Sequence, residues 1–263
     1  MEELSRDDAI GFYRRFYAPN NAVVVIAGDV DPAKARALAE ETYGKIPRHG
    51  NIAPRVRAQE PPPVAARTLT LADPRAEIPT LQREYLVPSF VTGKRGESTA
   101  LEVLAHILGS GSNSRLYLGL VVDKQVAVAA NAWYDASTLD LSKFTIGGSP
   151  RPGVTLPQLE AETDAIIAQV IEKGVTAEEL ERAKTRLIAD AVYAQDNQAS
   201  MARWYGTALT TGGSVNDVKN WPDRIRAVTA EQVQDAARQW LDKRRSVTGY
   251  LVKDVSPQAE KRS

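Results

Sequence analysis

The sequence contains two histidines, and only one of them has a possible metal ligand near it on a helix. His106 lies in an apolar helical stretch with Glu102 one turn before it, whereas His49 lies among prolines and glycines. A Glu and a His four residues apart share one helical face, but a catalytic zinc needs a third protein ligand. No third ligand stands at a suitable spacing. We therefore predict that His106 packs as an ordinary helix residue, and that the chain holds neither a metal site nor a catalytic residue.

A second candidate for chemistry is the run of glycines and serines from Gly109 to Ser114. Such a run can cradle a phosphate or present a serine nucleophile. This one follows a helical stretch, lacks the lysine of a phosphate-binding loop and has no G-x-S-x-G spacing. We predict a sharp turn between two helices, with Ser112 or Ser114 capping the second. Exposed backbone there could still meet a ligand, so the candidate substrate-binding residues are Gly109, Gly111, Ser112 and Asn113.

The amino-acid composition argues against nucleic acid and membranes as partners and against cysteine chemistry. The chain has 263 residues with 33 basic and 33 acidic side chains, so it has no net charge that would attract nucleic acid. No apolar run approaches the roughly 20 residues that a membrane-spanning helix needs, which predicts no membrane insertion. The lack of cysteine excludes disulfides, thiolate metal sites and a cysteine nucleophile. The first four residues lack the pattern of a secretory signal.

Helix and strand patterns follow one another irregularly along the chain. Strand patterns come in adjacent pairs and helix patterns in runs, which predicts an α+β fold with helices packed on one face of a largely antiparallel sheet. We expect strands at Ala22–Ala27, Arg67–Ala72, Leu81–Val87, Val126–Tyr134, Lys143–Gly148 and Val247–Val252, with a turn at Asp73–Pro74. We expect helices at 5–17, 32–43, Gly96–Leu108, Arg115–Asp123, Thr155–Lys173, Thr176–Ala194, Ala199–Thr210, Val215–Ala227 and Thr229–Leu241.

The first segment of the chain resembles the last. When Ser5 is laid on Thr229 without gaps, both segments show a capping residue, an amphipathic helix, a polar turn and an apolar strand. Other aligned pairs are Asp8 with Gln232, Phe16 with Trp240 and Val23 with Val247. Identities are few, so two such units could also arise independently. A true repeat implies the end of one domain at 1–46, a proline-rich linker at 47–63, a complete second domain at 64–255 and a tail at 256–263.

Four stretches resemble the pitrilysin-type, or insulinase, family of zinc peptidases. F-Y-R-R-F-Y-A-P-N-N-A-V-V-V-I-A-G-D-V-D at residues 12–31 is similar to the end of the first domain in the small bacterial members. G-S-G-S-N-S-R-L-Y at residues 109–117 is similar to a glycine turn and helix of the second domain, and V-T-A-E-E-L-E-R-A-K at 175–184 and V-T-A-E-Q-V at 228–233 also fit. The resemblance covers about the whole chain. It implies a duplicated α+β fold, as in mitochondrial processing peptidase, with two halves that close around a peptide.

The resemblance also implies where the chemistry lies. In the family, an H-x-x-E-H helix and a later Glu of the first domain hold the zinc, and zinc-bound water attacks the peptide. Neither element is present in this sequence, so Zn is expected in the intact parent protein and not in this chain. Active second domains often carry an Arg and, seven residues later, a Tyr that grip the substrate. The matching positions are Val121 and Val128, which can donate no hydrogen bond.

The leading hypothesis is a non-catalytic domain that walls a peptide chamber, docks to a partner half and is inactive alone. The resemblance implies three partners, namely a zinc-carrying N-terminal domain, a homologous partner subunit or second protomer, and a peptide substrate. It also suggests a bacterial periplasm or cell envelope as the location. The alternative is a stand-alone scaffold or peptide-binding protein on the same fold, whose gene would encode no H-x-x-E-H half. A hydrolase that uses Ser110 or Ser112 lacks a base and is the weakest hypothesis.

Overall fold

A computed structural model describes residues 3–52, 57 and 61–254. The described residues form two compact units. Residues 3–52, 57 and 193–218 make the small unit, and residues 61–192 and 219–254 make the large unit. The predicted tail at 256–263 lies outside the described residues, as do residues 53–56 and 58–60 of the predicted linker.

The small unit contains capped helices that begin where the sequence predicts. The described helices are α1 (Arg6–Phe16), α2 (Pro32–Thr42), α6 (Gln198–Thr210) and α7 (Val215–Lys219), whose last residue belongs to the large unit. Ser5 starts α1 with a capping box. Its hydroxyl accepts the backbone N–H of Asp8 at 3.2 Å, and the Asp8 carboxylate accepts that of Ser5 at 2.9 Å. Asp31 caps α2 by accepting the backbone N–H of Ala33 at 2.8 Å.

The strand predicted at Ala22–Ala27 does not form. Residues 22–27 have no regular secondary structure, and the side chains of Val24 and Ile26 are about half exposed. A strand is stable only when its backbone groups bond to a neighbouring strand. Within the described part of the small unit there is no such neighbour, so the apolar run alone does not make a strand.

A five-stranded sheet forms the centre of the large unit. Its strands are β1 (Arg67–Asp73), β2 (Thr80–Val87), β3 (Ala127–Tyr134), β4 (Ser142–Pro150) and β5 (Ser246–Lys253), in the order β1-β5-β2-β4-β3. Neighbours are antiparallel except β1 and β5, which are parallel. The chain turns after Asp73 as predicted, but the two strands that this turn joins do not pair, because β5 lies between them. The connection at 74–79 is longer than a tight hairpin turn and leaves room for the inserted strand.

Helices cover one face of this sheet. The described helices of the large unit are α3 (Glu97–Gly109), a π-helix at Tyr117–Asp123, α4 (Leu156–Lys173), α5 (Ala177–Ala194), α8 (Trp221–Ala227) and α9 (Ala230–Trp240). Of these, α3, α4 and α9 pack directly on the strands. Capping boxes at Thr155 and Thr229 begin α4 and α9. The predicted α+β fold, with helices on one face of a largely antiparallel sheet, is confirmed.

Two predicted helices differ from the observed ones. The helix predicted at Val215–Ala227 is two helices, α7 and α8, because Pro222 lies in the first turn of α8. Proline lacks an N–H and clashes with the carbonyl one turn earlier, so it begins a helix more readily than it continues one. The helix predicted at Arg115–Asp123 winds as a π-helix over most of its length. None of the helices in the described ranges has the length and hydropathy of a membrane-spanning segment.

The core lies between the sheet and the helices. Alternate residues of β2 point toward the helices and are buried, namely Leu81, Arg83, Tyr85 and Val87. Phe144 of β4 and Leu101 and Leu104 of α3 belong to the same buried cluster. Burial of one such apolar side chain stabilises the fold by about 1.5–3 kcal/mol. We call the opposite side of the sheet, which carries no helix of the large unit within the described residues, the open face.

One buried core position is charged. Arg83 is 1% exposed, and its guanidinium donates to Glu160 at 2.5 Å, to Thr248 at 3.0 Å and to Asp164. Lys243 lies 2.6 Å from the same Asp164 carboxylate. Burial alone would lower the pKa of Arg83, but Tyr85 and Asp164 raise it. The charged guanidinium therefore ties β2 to α4 through both carboxylates, and removing both would leave an unpaired buried charge at a cost of about 3–5 kcal/mol.

Candidate functional site

The glycine turn joins α3 to the π-helix, and its two glycines have different roles. Gly109 ends α3 against β3, where a Cβ would stand only 1.7 Å from the backbone nitrogen of Ala132. Gly111 has a φ of +75°, and a side chain there would meet open space, so it is required for backbone conformation. Ser112 and Asn113 are exposed. The structure thus brings Gly111, Ser112 and Asn113 together at the surface, while Gly109 serves close packing.

The serine after the turn supports the turn itself. Ser114 is buried and donates its hydroxyl to the carbonyl of Gly111 at 2.8 Å. The helix begins at Arg115, and the Ser114 carbonyl accepts the backbone N–H of Leu118 at 2.9 Å, so Ser114 occupies the predicted cap position. Among the described residues, no backbone N–H of this helix donates to the hydroxyl of Ser112 or Ser114, so the predicted side-chain cap does not form.

Arg115 links the two family-like stretches at 109–117 and 175–184. Its guanidinium donates two parallel bonds to the carboxylate of Glu179, at 2.6 and 2.7 Å, and a third to the carbonyl of Gly174 at 3.0 Å. Glu179 also accepts the backbone N–H of Thr176 at 2.8 Å, at the start of α5. Burial would raise the pKa of Glu179, but the bonds from Arg115 and Thr176 hold it at about 2. These motif residues therefore form a structural ion pair.

Val121 and Val128 lie at two irregularities of the backbone. Val121 is in the π-helix and packs, partly buried, against the core. Val128 falls where the pairing of β3 with β4 shifts between Ala127 and Ala129, a β-bulge, and its side chain is 50% exposed. Bulges and π-helical turns re-aim side chains and are frequent at functional sites. Here both side chains are aliphatic, so neither can donate a hydrogen bond to a substrate.

The two histidines lie in different units and have different environments. His49 is exposed, and its backbone N–H donates to Asn20 at 3.0 Å. Burial lowers the pKa of His106, whose Nε2 is buried and makes no hydrogen bond within the described residues. Glu102 faces a different neighbour, because its carboxylate accepts the indole N–H of Trp221 at 2.7 Å. Across residues 3–52, 57 and 61–254, no three His, Cys, Asp or Glu side chains converge, so the residues present do not fit a zinc site.

The open face carries exposed residues that no motif singled out. Asn131 and Trp133 alternate along β3 with Ala132, which is buried in the core, so they point away from the helices. The register of β3 and β4 places Asn131 opposite Gly147 and Trp133 opposite Thr145. The sequence signal for them is the alternation of polar or aromatic residues with alanine in this strand. Asn131 and Trp133 were not predicted as site residues, because the open face is identified only once the order of the strands is known.

The comparisons with known proteins decide the family. The profile of the peptidase M16 inactive domain matches residues 3–187. The chain belongs to the peptidase M16 inactive-domain family. This result confirms the resemblance to a non-catalytic domain of zinc peptidases that the four sequence stretches indicated.

Individual M16 relatives agree with this assignment. Zinc protease PqqE of Helicobacter pylori is 25% identical over 239 residues, which are 90% of this chain and 52% of that protein. The crystal structure of a protease from Helicobacter pylori superposes with a TM-score of 0.85 at 22% identity, over 95% of this chain and 59% of that one. The first half of the periplasmic protease PqqL from Escherichia coli superposes with a TM-score of 0.75 at 17% identity, over 97% and 58%. The M16 chain thus spans about half the length of the relatives that it matches.

Proposed function

We propose that this chain is the non-catalytic domain of a zinc metallopeptidase, that it walls the peptide chamber and that it docks to a zinc-carrying half. The observation that carries the proposal is the match of residues 3–187 to an inactive peptidase domain. The open face supports the chamber role, because a sheet with helices on one side leaves its other side free to line a cavity. The zinc expected in the parent protein would be held by the other half, where the bond is cleaved.

The small unit supports the proposed docking. Neither α1 nor α2 has a buried residue, and Phe12, Tyr17 and Leu38 are all largely exposed. An open apolar groove runs along α2, lined by Ile26, Val30, Leu38 and Tyr43 among others. Clustered apolar side chains at a surface mark an interaction site. We therefore infer that residues 1–46 complete the zinc-carrying domain, followed by a linker at 47–63 and the second domain at 64–255.

The two valines at positions 121 and 128 indicate what a partner subunit would have to supply. Val121 and Val128 cannot bind a peptide carbonyl, so a homologous subunit or second protomer would supply the groups that grip the substrate beside zinc. Leu118 and Val122 of the π-helix are exposed like Val128 and offer an apolar surface to that partner. A periplasmic or cell-envelope location is part of this proposal, supported by the name of the similar protease PqqL.

Zinc content and peptidase activity of the purified chain test the proposal. We expect substoichiometric zinc by elemental mass spectrometry and no cleavage of fluorogenic casein, with a zinc peptidase of the same family as positive control. Stoichiometric zinc, or cleavage that a chelator abolishes, would contradict the proposal. Binding to a separately expressed zinc-carrying half is the second readout. A source genome that encodes no H-x-x-E-H half would favour the stand-alone scaffold or peptide-binding protein instead.

A further inference from the structure

One row of residues crosses all five strands on the open face. From β3 to β1 it contains Asn131, Gly147, Gln82, Gly249 and Leu69, each opposite the next in the strand register. Two of these positions are glycine and carry no side chain, so the row is a shallow trough at β4 and β5. We call it the glycine row. Five strands spaced about 4.8 Å apart make it about 19 Å long, which is the length of five or six extended residues.

Two side-chain amides stand along the glycine row. A Cβ at Gly147 would lie 2.8 Å from the Oδ1 atom of Asn131, so the missing side chain makes room for that amide. The Asn131 side chain makes no hydrogen bond within the described residues. Gln82 donates one bond to Glu84 at 2.9 Å, which leaves its amide oxygen as an acceptor. A side-chain amide offers a donor and an acceptor together, the pair that a peptide group requires.

The row beside it contains an unpartnered buried hydroxyl. In register order, this flanking row is Trp133, Thr145, Glu84, Val247 and Arg67. Thr145 is 2% exposed, and its Oγ1 atom has no hydrogen-bond partner in the described residues. Its neighbour Trp133 is 51% exposed. Buried hydroxyls are normally bonded, so this row has a hydrogen-bonding group that the described residues leave unused.

The charge of this surface selects the kind of occupant. The glycine row carries no charged side chain, and Glu84 beside it is neutralised by Lys143 at 2.8 Å. An uncharged trough is complementary to a peptide main chain and not to a phosphate. Arg67, at the β1 end of the flanking row, makes no ion pair within residues 61–254. An acidic side chain would therefore be favoured at that end, and an apolar one at the Trp133 end.

We propose that the glycine row binds an extended segment of the peptide substrate that lies across the strands. Its peptide groups pair with the amides of Asn131 and Gln82, an apolar side chain stacks on Trp133, and an acidic side chain lies near Arg67. The inference rests on the proposed function, because it assigns substrate contact to one part of the chamber wall. The proposed function assigns peptide contact to the chamber wall in general, whereas this inference assigns it to the residues of the glycine row.

Filling the trough gives a test that spares the fold. A Cβ at Gly249 would meet its nearest atoms at 3.7 Å, an ordinary contact, and valine suits a strand, so Gly249→Val should fold normally. The probe is a fluorescein-labelled six-residue peptide, blocked at both ends, with Phe near one end and Glu near the other. We expect Gly249→Val and Trp133→Ala each to weaken its binding about tenfold or more in fluorescence anisotropy. Thr70→Val, on β1 but pointing to the helical side, is the control and should leave Kd unchanged.

Three outcomes would overturn the inference. The first is equal binding by the chain and both variants, and the second is no binding to the unaltered chain at about 1 mM. The third is self-association of the chain that Gly249→Val abolishes in sedimentation, because the occupant would then be a second copy. None of these outcomes alters the zinc and activity measurements. Failure of the subsite is therefore distinguishable from failure of the proposed function.

Discussion

The helices α1 and α9 begin in the same way and end in different environments. Ser5 and Thr229 each form a capping box with the third residue of the helix. Yet α1 has no buried residue, whereas α9 buries Val233, Ala236 and Ala237 against the core. The amphipathic pattern is present in both segments, so the difference lies in what is available to cover the apolar face.

The segments that follow the two helices differ more. Residues 22–27 have no regular structure, while the aligned segment after α9 is β5, which lies between β1 and β2 in the sheet. A capped helix is specified by local hydrogen bonds, so it forms in either place. A strand needs neighbours on which to bond. A segment with this pattern therefore forms its capped helix from local hydrogen bonds, whereas it forms its strand only where neighbouring strands are present.

The largest difference between α1 and α9 is expected when the residue that follows each helix, Tyr17 or Leu241, is replaced by alanine. Leu241→Ala should lower the free energy of unfolding by about 2–5 kcal/mol, because Leu241 is 2% exposed in the core. The aligned Tyr17 is 67% exposed, so Tyr17→Ala should change it by less than about 0.5 kcal/mol. Urea unfolding followed by tryptophan fluorescence measures both. Equal losses would show that α1 is packed as firmly as α9.

Removing the two capping hydroxyls should change the free energy of unfolding by less than truncating Leu241 does. Thr229→Ala should cost about 1 kcal/mol of unfolding free energy, because α9 is part of the core. Ser5→Ala should leave the main unfolding transition in place and accelerate amide exchange in α1 only, since α1 buries nothing. Hydrogen exchange read by mass spectrometry resolves the two helices. Acceleration in α9 on Ser5→Ala would contradict this separation.

The smallest expected difference between the two helices is in how the stability of their caps depends on pH. Asp8 of the α1 cap titrates, whereas the aligned Gln232 of the α9 cap does not. Hydrogen bonds from the Ser5 side chain and backbone lower the pKa of Asp8 below 3.8. A lowered pKa means that the cap stabilises α1 above pH 3.8 and that this contribution is lost as the pH falls through the folded value. Acidification should therefore loosen α1 and not the cap of α9. NMR titration of both caps checks this, and parallel loosening would refute it.

Much of the architecture follows from local signals in the sequence. The caps at Ser5, Asp31, Thr155 and Thr229 each begin a helix as predicted. Gly111, with a φ of +75°, turns the chain where predicted. These features depend on residues within one helical turn of each other, so a single sequence contains the information.

The rest depends on residues that are distant in sequence. The insertion of β5 between β1 and β2, the bulge at Val128 and the glycine row all result from pairings across the large unit. Local patterns cannot rank such pairings, because any apolar strand suits any apolar neighbour. The glycine row could not be predicted from the sequence for the same reason. Asn131 and Gln82 lie in one row only because β4 pairs with both β3 and β2.

We propose that this chain is the non-catalytic part of a longer zinc peptidase. The most direct test is the intact mass, N-terminal peptide map and zinc content of the protein purified from its source cells. We expect a longer protein that carries an H-x-x-E-H helix upstream of this sequence and binds zinc stoichiometrically. A native protein that begins at Met1 and binds no zinc would contradict it, and would leave a scaffold or peptide-binding domain built on a peptidase fold.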